Sequence, residues 1–435
     1  MKNFNNSTTT KRNAFYVISF IFFVLLSAEI LLPIPLNAAD TKFQNIDRYA
    51  RFTPEEFEKS VEILARYLMD GAENDVEKVR AFYVWIADNI SYDTKSYFRR
   101  QYPNQSPQAV LNRRTAICQG YANLFKRFCD IANFPCIIIS GFSRGYGTNP
   151  AIIPEEDNHV WNAVQVDDQW HLIDVTWGSG YIDEKRKFVK RFSGFYFFPD
   201  PAELIFTHFP SNHNYQLLLI SKTKEEFLNQ MLKKPEWFKY GLKAVSHKKS
   251  RIITEQPVTI YIKAPPEVEL SAELKRSDET LPDRYHFVQE KDSLTEISLI
   301  FPANDVFILT IFAKNKADSG LFNSVGEYWI DVRNIEKPQS TFPMPYKTFY
   351  SQGCYLFDPL KSAEKIKEGK PIKILAPHAE KAAIVLNKRW TYFEKADGDI
   401  FTGLIPNNGE NIILYALFPG DTKFQALLNF IANTR

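Results

Sequence analysis

From residue 53 to about 132 the apolar positions return every three or four residues, and beyond 136 they fall into short β-branched runs. Thr53-Pro54-Glu55-Glu56 has the form of a capping box with proline at the first helical position. Phe57, Val61, Leu64 and Leu68 follow at helical spacing and predict one helix there. Asn74-Asp75-Val76-Glu77 opens a second, with Val79, Tyr83 and Ile86 on its inner face. Ser106-Pro107 starts a short third, and residues 117–132 read as a fourth with Leu124, Phe125, Phe128 and Ile131 on one side. Residues 136–141 are a strand, and 141–154, rich in Gly, Ser, Asn and Pro, a loop walling a cleft. The runs 158–166 and 170–176 flank Asp167-Asp168, a two-residue hairpin turn that pairs Val166 with Gln169. Helices first and strands afterwards mean an α+β core.

A last helical stretch, 223–232, begins at a capping box, Thr223-Lys224-Glu225-Glu226. From about Tyr240 apolar and polar residues alternate between turns. Gln256-Pro257-Val258-Thr259-Ile260-Tyr261-Ile262-Lys263-Ala264-Pro265 recurs as Lys370-Pro371-Ile372-Lys373-Ile374-Leu375-Ala376-Pro377. The run 305–313 has a counterpart in 411–419. Two β-sandwich-like, immunoglobulin-like repeats are expected at 240–337 and 346–435, with Pro338, Pro343 and Pro345 at the boundary. Their aromatics, Tyr328-Trp329 and Trp390-Thr391-Tyr392-Phe393, read as strand core rather than as a ligand surface.

The chemistry-bearing residues lie in three short runs: Ala116-Ile117-Cys118-Gln119-Gly120-Tyr121-Ala122, Asn158-His159-Val160-Trp161-Asn162, and Trp170 to Gly178 around Asp174. Cys118 stands in the first turn of a helix, where the dipole and free N–H groups favour a thiolate. The hairpin register pairs Trp161 with Asp174 and sets His159 diagonal to Asp174 on the same face, about 7 Å between backbones. A bulge would bring the two opposite each other. Singly, each residue has a commonplace role: a small buried hydrophobe, a hydrogen-bonded core histidine, a turn cap. Together they are the parts of a thiol nucleophile, its base and the carboxylate that orients the base.

At these residues the chain resembles the transglutaminase-like superfamily, and within it the kyphoscoliosis peptidase group, in which such a core is followed by β-rich repeats. The resemblance is carried by Val84-Trp85-Ile86 with Asn89-Ile90-Ser91-Tyr92-Asp93, by the runs around Cys118, His159 and Asp174, and by Phe195-Tyr196-Phe197, Pro201-Ala202-Glu203-Leu204-Ile205, His208-Phe209-Pro210 and Gln216-Leu217-Leu218. It covers residues 50–220 strongly and the remainder loosely. It implies a papain-related core over 40–235 with Cys118, His159 and Asp174 catalytic, attacking a peptide or glutamine amide through a thioester. The expected function is that of a cysteine peptidase or amidase on protein or peptide substrates. The alternatives are a protein cross-linking transglutaminase and a scaffold on the same fold with its chemistry unused, since some relatives have lost triad members. The Cys118 backbone N–H is one natural oxyanion donor, and Trp85 and Tyr92 are candidates for a second or simply core aromatics.

No paired CxxC, phosphate loop or basic stripe is present, so no cofactor, metal or nucleic acid is expected. Protein partners are expected at the C-terminal repeats. Residues 1–39 combine Lys2, Lys11 and Arg12 with an apolar run and a small-residue stretch, and predict a signal peptide or an N-terminal anchor. Export to the periplasm or the outside is the expectation. Removing the three basic residues and one acidic residue of 1–39 from 53 and 51 leaves 50 of each, a formally neutral protein. Of the four cysteines, Cys129 and Cys136 read as core, with their pairing left open, and Cys354 stands alone.

Overall fold

The computed structural model of the protein describes residues 42–145, 156–335, 341–360, 371–405 and 411–431. The N-terminal segment 1–39 and most of the 141–154 loop therefore lie outside the described residues. The helical layer contains Val61–Asp70, Asp75–Asn89, Pro107–Arg113 and Cys118–Ile131. Asn74 caps its helix as the sequence predicts, accepting from the Glu77 N–H. This helix is buried all round from Val79 to Ala87 rather than along one face, because other elements close over it on every side. The single helix expected after Thr53 is instead a 3₁₀ turn, Glu55–Lys59, followed by Val61–Asp70. Ser60 breaks the run, its hydroxyl accepting from Ile63, and Thr53 donates to Ala50 instead of forming a capping box.

Behind the helices lies an antiparallel sheet in the order Gln169–Ile173, His159–Val166, Cys136–Ser143, His208–Pro210. Val166 faces Gln169, and Asp167 and Asp168 have φ of 49° and 61°, the left-handed pair of a type I′ turn. The strand expected to run to 176 stops at Ile173, since Asp174 caps a short helix, Val175–Ser179. Asn162 ties sheet to helices by donating to the Ala122 carbonyl at 3.2 Å. Gly141 is required where the sheet closes up: a Cβ there would strike the Phe209 carbonyl and the Trp161 ring.

The remainder of the chain is β-rich. One pair of sheets runs Lys243–Ala244, Val258–Lys263, Leu294–Leu299, His286–Lys291 against Arg251–Thr254, Asn323–Val332, Val306–Asn315, Val268–Arg276, Glu279–Thr280. The second pair repeats this order with Tyr355–Asp358, Pro371–Leu375, Ile400–Leu404, Glu394–Ala396 against Met344–Pro345, Gln425–Ile431, Asn411–Leu417, Lys381–Leu386, Arg389–Tyr392. Both recurring sequence runs fall on equivalent strands, each with its own apolar cluster between the sheets. The core reading of the aromatics holds for Tyr328 and Phe393, which are buried, but Trp390 and Tyr392 lie on an edge strand and are 44% and 61% exposed.

The first β-sandwich is keyed to the α+β core. Arg144, at the end of the Cys136–Ser143 strand, is buried and donates to the carbonyls of Phe227, Leu228 and Gln230 at the C-terminus of the Lys224–Asn229 helix. Burial pulls its value down to about 10. Lys234 pairs with Glu327 at 2.7 Å, and Arg191 donates to Asn323.

Candidate active site

Cys118 is the first residue of its helix, half-buried, with Ile117 as an N-cap that offers no side-chain acceptor. The positive end of the helix dipole is therefore left to the thiol. Two contacts hold this turn: the Gln105 side chain accepts from the Ile117 N–H, and Asn123 donates to the Gln105 carbonyl. Gly120 is needed because a Cβ would lie 2.7 Å from the Ala116 Cβ and 2.9 Å from Val110, besides meeting that same glutamine.

His159 opens its strand and is 6% exposed. Asn158, just before it, bonds both the N–H and the carbonyl of Ser143 and so sets the strand end. His159 Nε2 lies 2.7 Å from Asp174 Oδ2, which leaves Nδ1 as the nitrogen available to the Cys118 thiol, one of the groups that raise the His159 value. Nothing in this hairpin bulges; the two side chains span the diagonal unaided. Asp174 is 1% exposed and accepts three donors. Oδ1 takes the Trp177 N–H at 3.0 Å, and Oδ2 takes His159 and a second histidine, His208, at 2.9 Å. Turn cap and histidine partner are thus one residue.

The electrostatics follow from burial and pairing. Burial would depress the His159 value, but the Asp174 charge and hydrogen bond and the contact with Cys118 raise it to about 10. Burial would raise Asp174, yet the two histidines hold its carboxyl well below the usual range. Burial lowers His208, against the pull of Asp174.

His208 had no functional role in the sequence reading. It appeared only within the run His208-Phe209-Pro210, and no periodicity links it to Asp174, 34 residues earlier. Trp85 is fully buried and donates to Glu58, which makes it a core aromatic. Tyr92 lines the cleft; burial, and next the Cys118 charge, push its hydroxyl upward. All four cysteines are free thiols.

Among the described residues one cluster has a metal-like composition, His159, Asp174 and His208. Its spacings of 2.7 and 2.9 Å are those of hydrogen bonds. Ligand atoms around a tetrahedral zinc, at bonds of about 2.0–2.2 Å, would lie roughly 3.3 Å apart, so the donors are too close to hold the ion.

His159 and Trp177 open onto a cleft of about 920 Å³. Tyr92 and Tyr97 line it from the core, and Ile308, Glu327 and Trp329 from the first β-sandwich. A volume of this order is that of a ligand-binding cleft.

Comparison with known proteins agrees with this architecture. The family model described as "Transglutaminase-like superfamily" matches residues 62–175, and that described as "KY-like, immunoglobulin-like domain" matches 224–343. The chain is 32% identical to human kyphoscoliosis peptidase over 68% of its own length and 44% of that protein's. It is 28% identical to hillarin of Drosophila melanogaster, covering 48% of the chain and 28% of hillarin. Cytokinesis protein 3 of Schizosaccharomyces pombe is 25% identical over 42% of the chain and 21% of its own length. The chain spans less than half the length of these curated relatives.

The relatives correct the expectation of export. They include a protein named for cell division. No described helix is long and apolar enough to cross a membrane. The apolar run behind that expectation lies outside the described residues. Fold, site and both family matches lead to the same assignment: the chain belongs to the transglutaminase-like superfamily, in the form that joins such a core to a KY-like immunoglobulin-like domain.

Proposed function

We propose that the chain is a thiol enzyme that acts on protein or peptide amides, with Cys118 as nucleophile, His159 as general base and then acid, and Asp174 as the orienting carboxylate. One observation carries the reading. His159 is bonded through Nε2 to Asp174 at 2.7 Å, has its value raised in part by Cys118, and lines a cleft of about 920 Å³. In the reaction the Cys118 sulfur attacks the amide carbon, and His159 hands the thiol proton to the departing nitrogen as the C–N bond breaks. Water or an amine then opens the thioester, regenerating the thiol and releasing an acid or a new amide.

The relatives' names favour a second reading, a binding scaffold whose triad is unused. Hillarin and cytokinesis protein 3 are not named for catalysis, and partner proteins at the β-rich repeats would serve that role. One experiment separates the two. Wild-type and Cys118→Ser proteins are incubated with a peptide mixture, with and without a primary amine, and the products are read by mass spectrometry. Cleavage, deamidation or amine incorporation lost in Cys118→Ser supports the enzyme. Identical product profiles from the two proteins would leave the scaffold reading standing.

A further inference from the structure

We infer that His208 is a positioning residue of this site: it donates its Nε2–H to Asp174 Oδ2 and so fixes the carboxylate that orients His159. The inference rests on the thiol-enzyme reading but assigns a fourth residue to it. Its support is geometric. His208 is 2% exposed and sits on the outer strand of the sheet, where it pairs with Ser143. Both its nitrogens are occupied, Nε2 by Asp174 at 2.9 Å and Nδ1 by the Thr207 hydroxyl at 2.9 Å. Asp174 Oδ2 takes only acceptor roles, so the proton on this bond belongs to His208 Nε2. The Thr207 hydroxyl, which also lies 3.2 Å from the Leu204 carbonyl, satisfies Nδ1, and burial pulls the ring's value down.

The groups that face the ring leave it no other task. Asp174 and His159 are the charged or titratable neighbours, together with Tyr196, whose hydroxyl burial pushes far up. Trp161 and Trp177 pack on the ring at 5.1 and 4.5 Å between centroids and keep it from turning. The ring is screened from the cleft by these neighbours, and it touches Asp174 instead of Cys118. Its effect therefore passes through the carboxylate. A carboxylate with one donor on Oδ2 can rotate away from His159; with two it is pinned, and its negative charge is stabilised for the imidazolium that must form.

The test is alkylation of Cys118 by iodoacetamide in the full chain, followed by peptide mass spectrometry from about pH 5 to 9. The variants are His208→Leu, which keeps bulk but has no donor, and His208→Gln, whose amide N–H reaches the Nε2 position. We expect the low-pH reactive limb of wild type to shift upward in His208→Leu, lowering the rate near pH 6 about tenfold, as loss of one stabilising hydrogen bond would. His208→Gln should restore most of it. His208→Asn, whose amide stops short of Asp174, replaces His208→Leu if that variant does not fold. A donor-less variant with the wild-type profile overturns the inference, as does a folded His208→Gln as impaired as His208→Leu. The underlying reading fails separately: wild type would then alkylate no faster than His159→Ala.

Discussion

Asp174→Asn removes one charge and alters almost no volume, so its effect follows from hydrogen-bond bookkeeping alone. The aspartate accepts three donors: the Trp177 N–H on Oδ1, and His159 and His208 on Oδ2. An asparagine has one oxygen and one NH₂, and neither of its two orientations satisfies all three. If the oxygen stays on Trp177, the NH₂ meets both imidazoles, and each ring must turn to a tautomer that accepts there. His159 then carries its proton on Nδ1, facing Cys118, and has no lone pair to take the thiol proton. If the amide flips, the NH₂ opposes the Trp177 N–H and the start of the Val175–Ser179 helix loses its cap. At 1% exposure no water relieves either conflict, and one opposed buried donor costs about 1–3 kcal/mol. In serine triads the equivalent change lowers turnover on the order of 10⁴-fold. A thiol is more acidic and intrinsically more nucleophilic than a serine hydroxyl and depends less on its base, so a smaller loss, roughly 10–10³-fold, is expected here. The assay measures both consequences on one preparation: urea unfolding for stability, and Cys118 alkylation near pH 6, with any Cys118-dependent turnover, per folded molecule. A destabilised variant whose alkylation and turnover stay within a factor of two of wild type would refute the role in the site and leave Asp174 as a turn cap.

Three further outcomes are expected. Asp47→Ala removes the carboxylate that accepts two 2.7 Å bonds from the Arg80 guanidinium, itself 6% exposed, and should cost about 3–5 kcal/mol in urea unfolding; Asp47→Leu with Arg80→Met should recover most of it. Gly178→Ala drives a Cβ into the Tyr83 hydroxyl, which donates to the Ser193 carbonyl at 2.5 Å, and should cost about 1–3 kcal/mol, seen as a lower urea midpoint with unchanged slope. For pH, the folded His159 value of about 10 lies above the ordinary 6.5, so its contribution is full below about 6.5 and lost as pH rises through 10. Wild-type melting temperature should therefore fall between pH 7 and 10, and less steeply in His159→Gln; parallel curves would contradict the pairing.

Local chemistry written in neighbouring residues was legible in the chain. The Asp167-Asp168 turn, the cap at Asn74, the Thr223 capping box and the register that pairs Val166 with Gln169 depend on contacts within a few positions, and each can be read from residue type. The α+β core followed by a β-rich immunoglobulin-like region was legible for the same reason, as a change of period from 3.6 to 2. The break at Ser60 and the end of the strand at Ile173 were not, since in both a side chain captures a backbone N–H that periodicity assigns elsewhere. Three things belonged to the tertiary structure alone. One is the reach of His159 across the diagonal to Asp174, which side-chain length achieves without a bulge. Another is the wall that Ile308, Glu327 and Trp329 add to the cleft from a separate β-sandwich. The last is His208, whose strand is set beside the others only because Gly141 lets the backbones close. Contacts between residues far apart in sequence leave no periodic trace, so a single chain can name the residues of a site and yet not say which of them share one carboxylate oxygen.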